Sequence, residues 1–92
     1  MASSVIKSNM ALLTRPIYTV DLNSVDYNFF GYVTGASNKP SSATTAGFLI
    51  SIVRIDSRNY RKQFYSSYNS SKLWIRTMTD NVWSNWQEIN IT

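Results

Sequence analysis

"GFLISIVRI", residues 47–55, is the stretch that decides the fold. Phe48, Ile50 and Ile52 leave the chain on one side and Leu49, Val53 and Ile55 on the other, the period-two pattern of an extended strand. A strand apolar on both faces predicts a central place in a sheet with cover on each side. Downstream, "YRKQFYSSY" (60–68) alternates less cleanly around Phe64, and "KLWIRTM" (72–78) sets Leu73 and Ile75 against Trp74 and Arg76. The polar triplets "SRN" and "NSS" separate the three runs, which predicts an antiparallel meander with short turns. "TDN" (79–81) then turns the chain into a last short strand, "WQEINI" (86–91).

Upstream the pattern is weaker. Residues 16–20 and 28–33 mix β-branched and aromatic residues in a strand-like way, with "DLNSVD" between them as a helical turn or loop. "TGASNKPSSATTAG" (34–47) reads as a long loop, which in a small domain is more often functional or disordered than merely connecting. Residues 1–14 show no period, yet Val5, Ile6, Met10, Leu12 and Leu13 are apolar enough to pack against something. The expectation is therefore an N-terminal extended arm over 1–14, ordered on a neighbouring subunit or larger protein. Residues 15–92 then form a single mainly-β domain, a small antiparallel meander or sandwich with at most one short helix.

Composition narrows the chemistry. With 92 residues, 43% hydrophobic and 14% aromatic, the chain has the make-up of one globular domain. It has no cysteine and no histidine, which removes disulfides, thiolate nucleophiles, imidazole bases and Cys/His metal sites together. The five carboxylates, Asp21, Asp26, Asp56, Asp80 and Glu88, show no spacing that singles out an acid–base pair. Asp21 and Asp80 stand where side chains cap turns. No nucleotide-binding or calcium-binding spacing occurs. The expectation is no catalytic residue, no metal and no cofactor. The formal charge of +4 is mild, and its densest group, Arg54, Arg58, Arg61 and Lys62, reads as a solvated hairpin more readily than a nucleic-acid stripe. No apolar run approaches the ~20 residues of a membrane span, so neither nucleic acid nor membrane insertion is expected.

The aromatic residues carry more information. Tyr60, Tyr65, Tyr68, Trp74, Trp83 and Trp86 fall within 27 residues. Trp83 and Trp86 read as core, where removing an indole typically costs ~3–5 kcal/mol. Tyr60, Tyr65 and Tyr68, near polar turns, read as ligand contacts able to stack on a sugar. Trp74 and Arg76 share a strand face and admit two readings: further ligand contacts, or Arg76 stacked on an indole of the final segment.

The order of residues resembles a phage tail-fibre pattern, that of the knob domains of R-type pyocin fibres and of prophage fibre proteins. The matching residues are Asp21-Leu22-Asn23, Phe30-Gly31-Tyr32, Asn38-Lys39-Pro40, Gly47 opening "FLISIV", Gln63, Trp74-Ile75-Arg76, and "DNVWSNWQEI" from Asp80. No element is specific alone; the ordered set covers most of the chain. The resemblance implies a small mainly-β knob on a homotrimeric fibre at the virion surface, involved in attachment to the bacterial surface; a host glycan as its ligand and other virion proteins as further partners are the expectations built on it. It implies that Asn38, Pro40, Gly47, Gln63, Trp83 and Trp86 determine the fold, and it fixes no ligand site; the candidate contacts are the 34–46 loop and Tyr60, Tyr65 and Tyr68. Knob domains usually lie inside long fibre chains, whereas this sequence begins with Met1 and ends soon after "QEI". That suits either a domain cut from a longer chain or a small head-fibre or decoration protein anchored by its arm.

Overall fold

"GFLISIVR" forms the strand β3 (Gly47–Arg54), and in the computed structural model, which describes residues 17–89, it lies inside a single sheet. The other strands are β1 (Ile17–Tyr18), β2 (Phe29–Thr34), β4 (Ser57–Ser67), β5 (Leu73–Thr79), β6 (Val82–Trp83) and β7 (Gln87–Ile89). The sheet runs β1-β2-β3-β4-β5-β6, with β7 paired to β5 beside β6. Every pairing is antiparallel except the short parallel one between β1 and β2. The protein is thus mainly β, in the meander form. The expected arm over 1–14 lies outside the described residues.

Two turns follow directly from residue chemistry. Asp80 and Asn81 join β5 to β6 with φ of 50° and 69°. Such paired left-handed residues give the turn whose twist matches a β-hairpin, and Asp and Asn tolerate them best after Gly. Leu22–Ser24 make one 3-10 turn, η1, opened by Asp21, whose carboxylate accepts the Asn23 backbone N–H at 2.9 Å. The "SRN" triplet, by contrast, is not a turn but the start of β4. The reversal comes at Ile55–Asp56, next to a register shift at Val53/Arg54 that accommodates so tight a connection.

The expectation of cover on both sides of β3 is overturned. Leu49 and Ser51 are buried, as are Phe29 and Val33 beside them on β2 and Gln63 and Tyr65 on β4, so one sheet face is the core face. On the other face Phe48 and Ile52 remain 54% and 52% exposed and Phe30 59%. Ile55 is fully exposed in the turn and belongs to neither face.

The core face has no second sheet over it among the described residues. Its roof is η1 and the residue after it, which contribute Leu22 and Val25, together with the long 35–46 loop, which contributes Ala36, Pro40 and Ala43. That accounts for the length of the loop: Ala36, Pro40 and Ala43 form the layer that closes the core, while Ser37, Asn38, Ser41, Ser42 and Thr45 stay exposed. The roof is pinned to the sheet through its backbone. The Tyr65 hydroxyl donates to the Thr44 carbonyl at 2.8 Å, and the Thr44 N–H donates to Ser67 Oγ at 3.1 Å.

Ser51 sits in this core with a hydroxyl that meets no partner. A buried unpaired hydroxyl destabilises by ~1–3 kcal/mol relative to a satisfied one. Ser51→Ala is therefore expected to raise stability by about 1 kcal/mol, shown as a higher urea midpoint at unchanged slope.

Candidate functional site

Two constellations stand out, one on each sheet face. The inner one is built on Arg76, which leaves β5 toward the core and is only 5% exposed. Its Nε and Nη2 both donate to Gln63 Oε1, at 2.9 and 2.8 Å, and the Gln63 amide nitrogen donates onward to the Leu22 carbonyl at 2.7 Å. Arg76 has no ion pair among the described residues. Its charge is instead covered by two indoles, the guanidinium carbon lying 3.9 Å from the Trp83 ring centre and 4.7 Å from that of Trp86. Burial pushes the Arg76 pKa down to about 10, against a rise from the negative charge of Asp21. At neutral pH it stays a cation, held by ring quadrupoles and one amide rather than by an acid.

Trp86 carries the chain of contacts further. Its Nε1–H donates to the Asn38 carbonyl at 2.9 Å, and the Asn38 side-chain amide donates to Asp21 at 2.8 Å. Asn38 holds a φ of 59°, a left-handed conformation that Asn adopts at less cost than most residues. The result is one connected cluster, Asp21–Asn38–Trp86–Arg76–Gln63–Leu22, joining η1, the roof loop, β4, β5 and the segment before β7.

Gly47 opens β3, and Pro40 lies in the roof loop. A Cβ on Gly47 would overlap the Ser66 carbonyl oxygen and stand 2.9 Å from the Tyr65 hydroxyl. Pro40 is fully buried.

This placement corrects three of the five expected ligand contacts. Trp74 is 5% exposed, Arg76 the same and Tyr65 wholly buried, so none of the three offers surface to a ligand. The physical reason is shared: each projects to the core face, where a polar tip finds an internal partner or, for Trp74, the ring joins the apolar cluster. Burial pushes the Tyr65 phenol up to about 12, with a smaller contribution from Tyr32. A phenol that resists ionisation only when folded stabilises fully below pH 10, and that contribution is lost as pH rises toward 12. Wild-type protein should therefore lose stability relative to Tyr65→Phe across this window. Denaturation midpoints of the two proteins at a series of alkaline pH values measure the difference, and a constant gap would contradict it.

Tyr60 and Tyr68 do reach the surface, Tyr68 being 57% exposed and Tyr60 partly so. They stand eight residues apart on or just beyond β4, about 26 Å along an extended chain, and so do not form one small-ligand site.

The outer constellation surrounds Tyr60. A groove of about 330 Å³ on the open sheet face is lined by Ile52, Arg54, Tyr60, Lys62, Thr77 and Thr79. The Arg54 guanidinium lies 4.9 Å from the Tyr60 ring centre and is paired with Asp56, while Lys62 Nζ donates to the Thr77 hydroxyl at 3.0 Å. The groove offers an aromatic ring, two cations and two hydroxyls within one surface.

Sequence spacing alone missed the grouping of Arg54 and Lys62 with Thr77 and Thr79. Lys62 faces Ile52 on one neighbouring strand and Thr77 on the other. Only the strand register reveals this.

No protein-family model, curated protein or solved structure matches this chain.

Proposed function

We propose that this chain is a non-enzymatic knob of a phage fibre, carried at the virion surface as a homotrimer and involved in attachment to the bacterial envelope through glycan. The observation that supports this reading is the inner cluster. Residues scattered through the tail-fibre-like order, Asp21, Asn38, Gln63, Arg76 and Trp86, meet in one bonded network. Such a network holds a thin sheet closed under a loop roof, which is the role the resemblance implies for Asn38, Gln63 and Trp86. The contact surface then lies elsewhere, and the groove at Tyr60 is the candidate. Its cations and ring suit a saccharide bearing carboxylate or phosphate groups.

The test is binding of labelled protein to purified lipopolysaccharide and capsular polysaccharide from a panel of bacteria. Binding that falls at least tenfold in Tyr60→Ala and in Lys62→Glu supports the reading. No binding to any polysaccharide, or binding indifferent to both substitutions, would overturn the glycan role of the groove.

A second reading, a structural head-fibre or decoration protein whose partners are other virion proteins, is favoured by a different observation. The open sheet face carries exposed Phe30, Phe48 and Ile52, a surface suited to protein packing rather than to sugar. Particles assembled with and without residues 1–14 separate the two, since a decoration protein lacking its arm leaves the particle while a glycan binder keeps its ligand.

A further inference from the structure

The geometry points to the apolar half of the open sheet face as the surface through which copies of this chain meet. The face is organised in registered rows. Phe30 stands opposite Ile50, Ile50 opposite Phe64, and Phe64 opposite Ile75, so four apolar side chains cross four strands in line. In the next row Tyr32 faces Phe48, their rings 5.4 Å apart in an edge contact. Leu73 faces Ile89 at the far side. Charge is absent from these rows. It begins in the following row, where Ile52 pairs with Lys62, and continues at Arg54.

The occupant is argued from area and shape. Phe30, Phe48 and Ile52 are all more than half exposed, and the neighbouring rings and branched chains are partly so. Together they leave on the order of 500 Å² of contiguous apolar surface in water, in the upper part of the range for the largest patch on a monomer, where such patches are often functional. Interfaces between copies of one chain are roughly 65% apolar, so such a patch implies about 800 Å² per partner, the size of a standard stable interface.

The shape is also self-complementary. A groove of about 220 Å³ on this face has Phe30 and Phe48 among its walls together with Ile50, Phe64 and Leu73. An apolar space of about 150 Å³ already admits a benzene ring, so an exposed Phe ring of one copy fits the groove of another. The cations at Arg54 and Lys62 would meet their like if the overlap slid toward them, which confines contact to the apolar half. The Tyr60 groove is thereby left open at the rim. A domain of this size with one covered face gains most from such burial.

This inference rests on the assembly part of the reading above and not on glycan attachment. Sedimentation and light scattering of the full chain, with the double substitution Phe30→Lys/Phe48→Lys, test it. The wild-type chain is expected to run as two or more copies. The double variant should run as a monomer, with association weakened about 30-fold or more per ring. Unchanged tryptophan fluorescence would show that the variant keeps the Arg76 cluster on the opposite face, and Phe30→Ser/Phe48→Ser serves as a milder pair if it does not.

An oligomer that survives both pairs overturns the assignment of this face while leaving assembly intact. A wild-type monomer overturns both. A monomer that binds a hydrophobic dye only after deletion of residues 2–16 would show the face covered by the chain's own arm, which also overturns the inference. Polysaccharide binding by the monomeric variant would keep the attachment reading standing on its own.

Discussion

Arg76→Ala should lower the unfolding free energy by about 4 kcal/mol, a large part of what a domain of this length has. Small domains are stable by roughly 0.05–0.15 kcal/mol per residue. The cost has two separable sources. Gln63 Oε1, which accepts both donors of Arg76 and is wholly buried, loses its partners, a desolvation penalty of ~1–3 kcal/mol. The indoles of Trp83 and Trp86 lose the cation between them, each such contact being worth ~0.5–2 kcal/mol.

A double variant distinguishes this account from simple loss of volume. Arg76→Met with Gln63→Leu removes the polar pair and keeps the space filled, and should recover more than half the loss, because replacing both members of a buried polar contact is far milder than orphaning one. Urea denaturation of the three proteins is the measurement. If Arg76→Met alone is as stable as wild type, the cluster contributes packing only.

Gly47→Ala is the second large effect, and its sign is the informative part. At a position that tolerates a methyl, Gly→Ala stabilises by ~0.4–1 kcal/mol through the unfolded state. Here the new carbon would overlap the Ser66 carbonyl oxygen and stand 2.9 Å from two atoms of the Tyr65 phenol. Neither can move cheaply, since Ser66 is backbone within β4 and Tyr65 is held by Thr44. The expected loss is about 3 kcal/mol. In a Tyr65→Phe background the hydroxyl clash disappears but the carbonyl clash remains, so Gly47→Ala should still destabilise there, by a smaller amount. Equal or improved stability in either background would show that the strands separate more easily than their pairing suggests.

The elements of this fold were largely legible in the residues, and the direction they face was not. Alternation in "GFLISIVRI" and "KLWIRTM", the DLN turn and the TDN reversal all reappear as β3, β5, η1 and the left-handed pair Asp80–Asn81. Alternation, however, says only that two faces exist.

On this sheet the usual polarity cue is inverted. The inward face carries Ser51, Gln63, Ser67 and Arg76, while the outward face carries Phe30, Phe48 and Ile52. Nearness to polar turns sends Tyr65 to the surface in a sequence reading, and apolar residues on both sides of β3 ask for a second cover. What would have corrected it is pairing: Gln63 lies directly opposite Arg76, and two long polar side chains in register on neighbouring strands can satisfy each other in the dark. That register is set by the turn at 68–72 between β4 and β5, whose geometry the triplet "NSS" does not specify.

The cluster around Arg76 also bears on the order in which the chain can assemble. Its bonds join residues 17, 41 and 48 positions apart along the chain. Closing such loops costs entropy before any contact rewards it, which places folding among the slower, milliseconds-to-seconds class of small domains. The β3–β4 hairpin is local and can pair early. Thr44 ties one end of the roof loop to Tyr65 and Ser67 on β4, but its Asn38 end closes only when Trp86 arrives, so the last indole acts as a late lock: its loss should hasten unfolding far more than it slows the initial collapse.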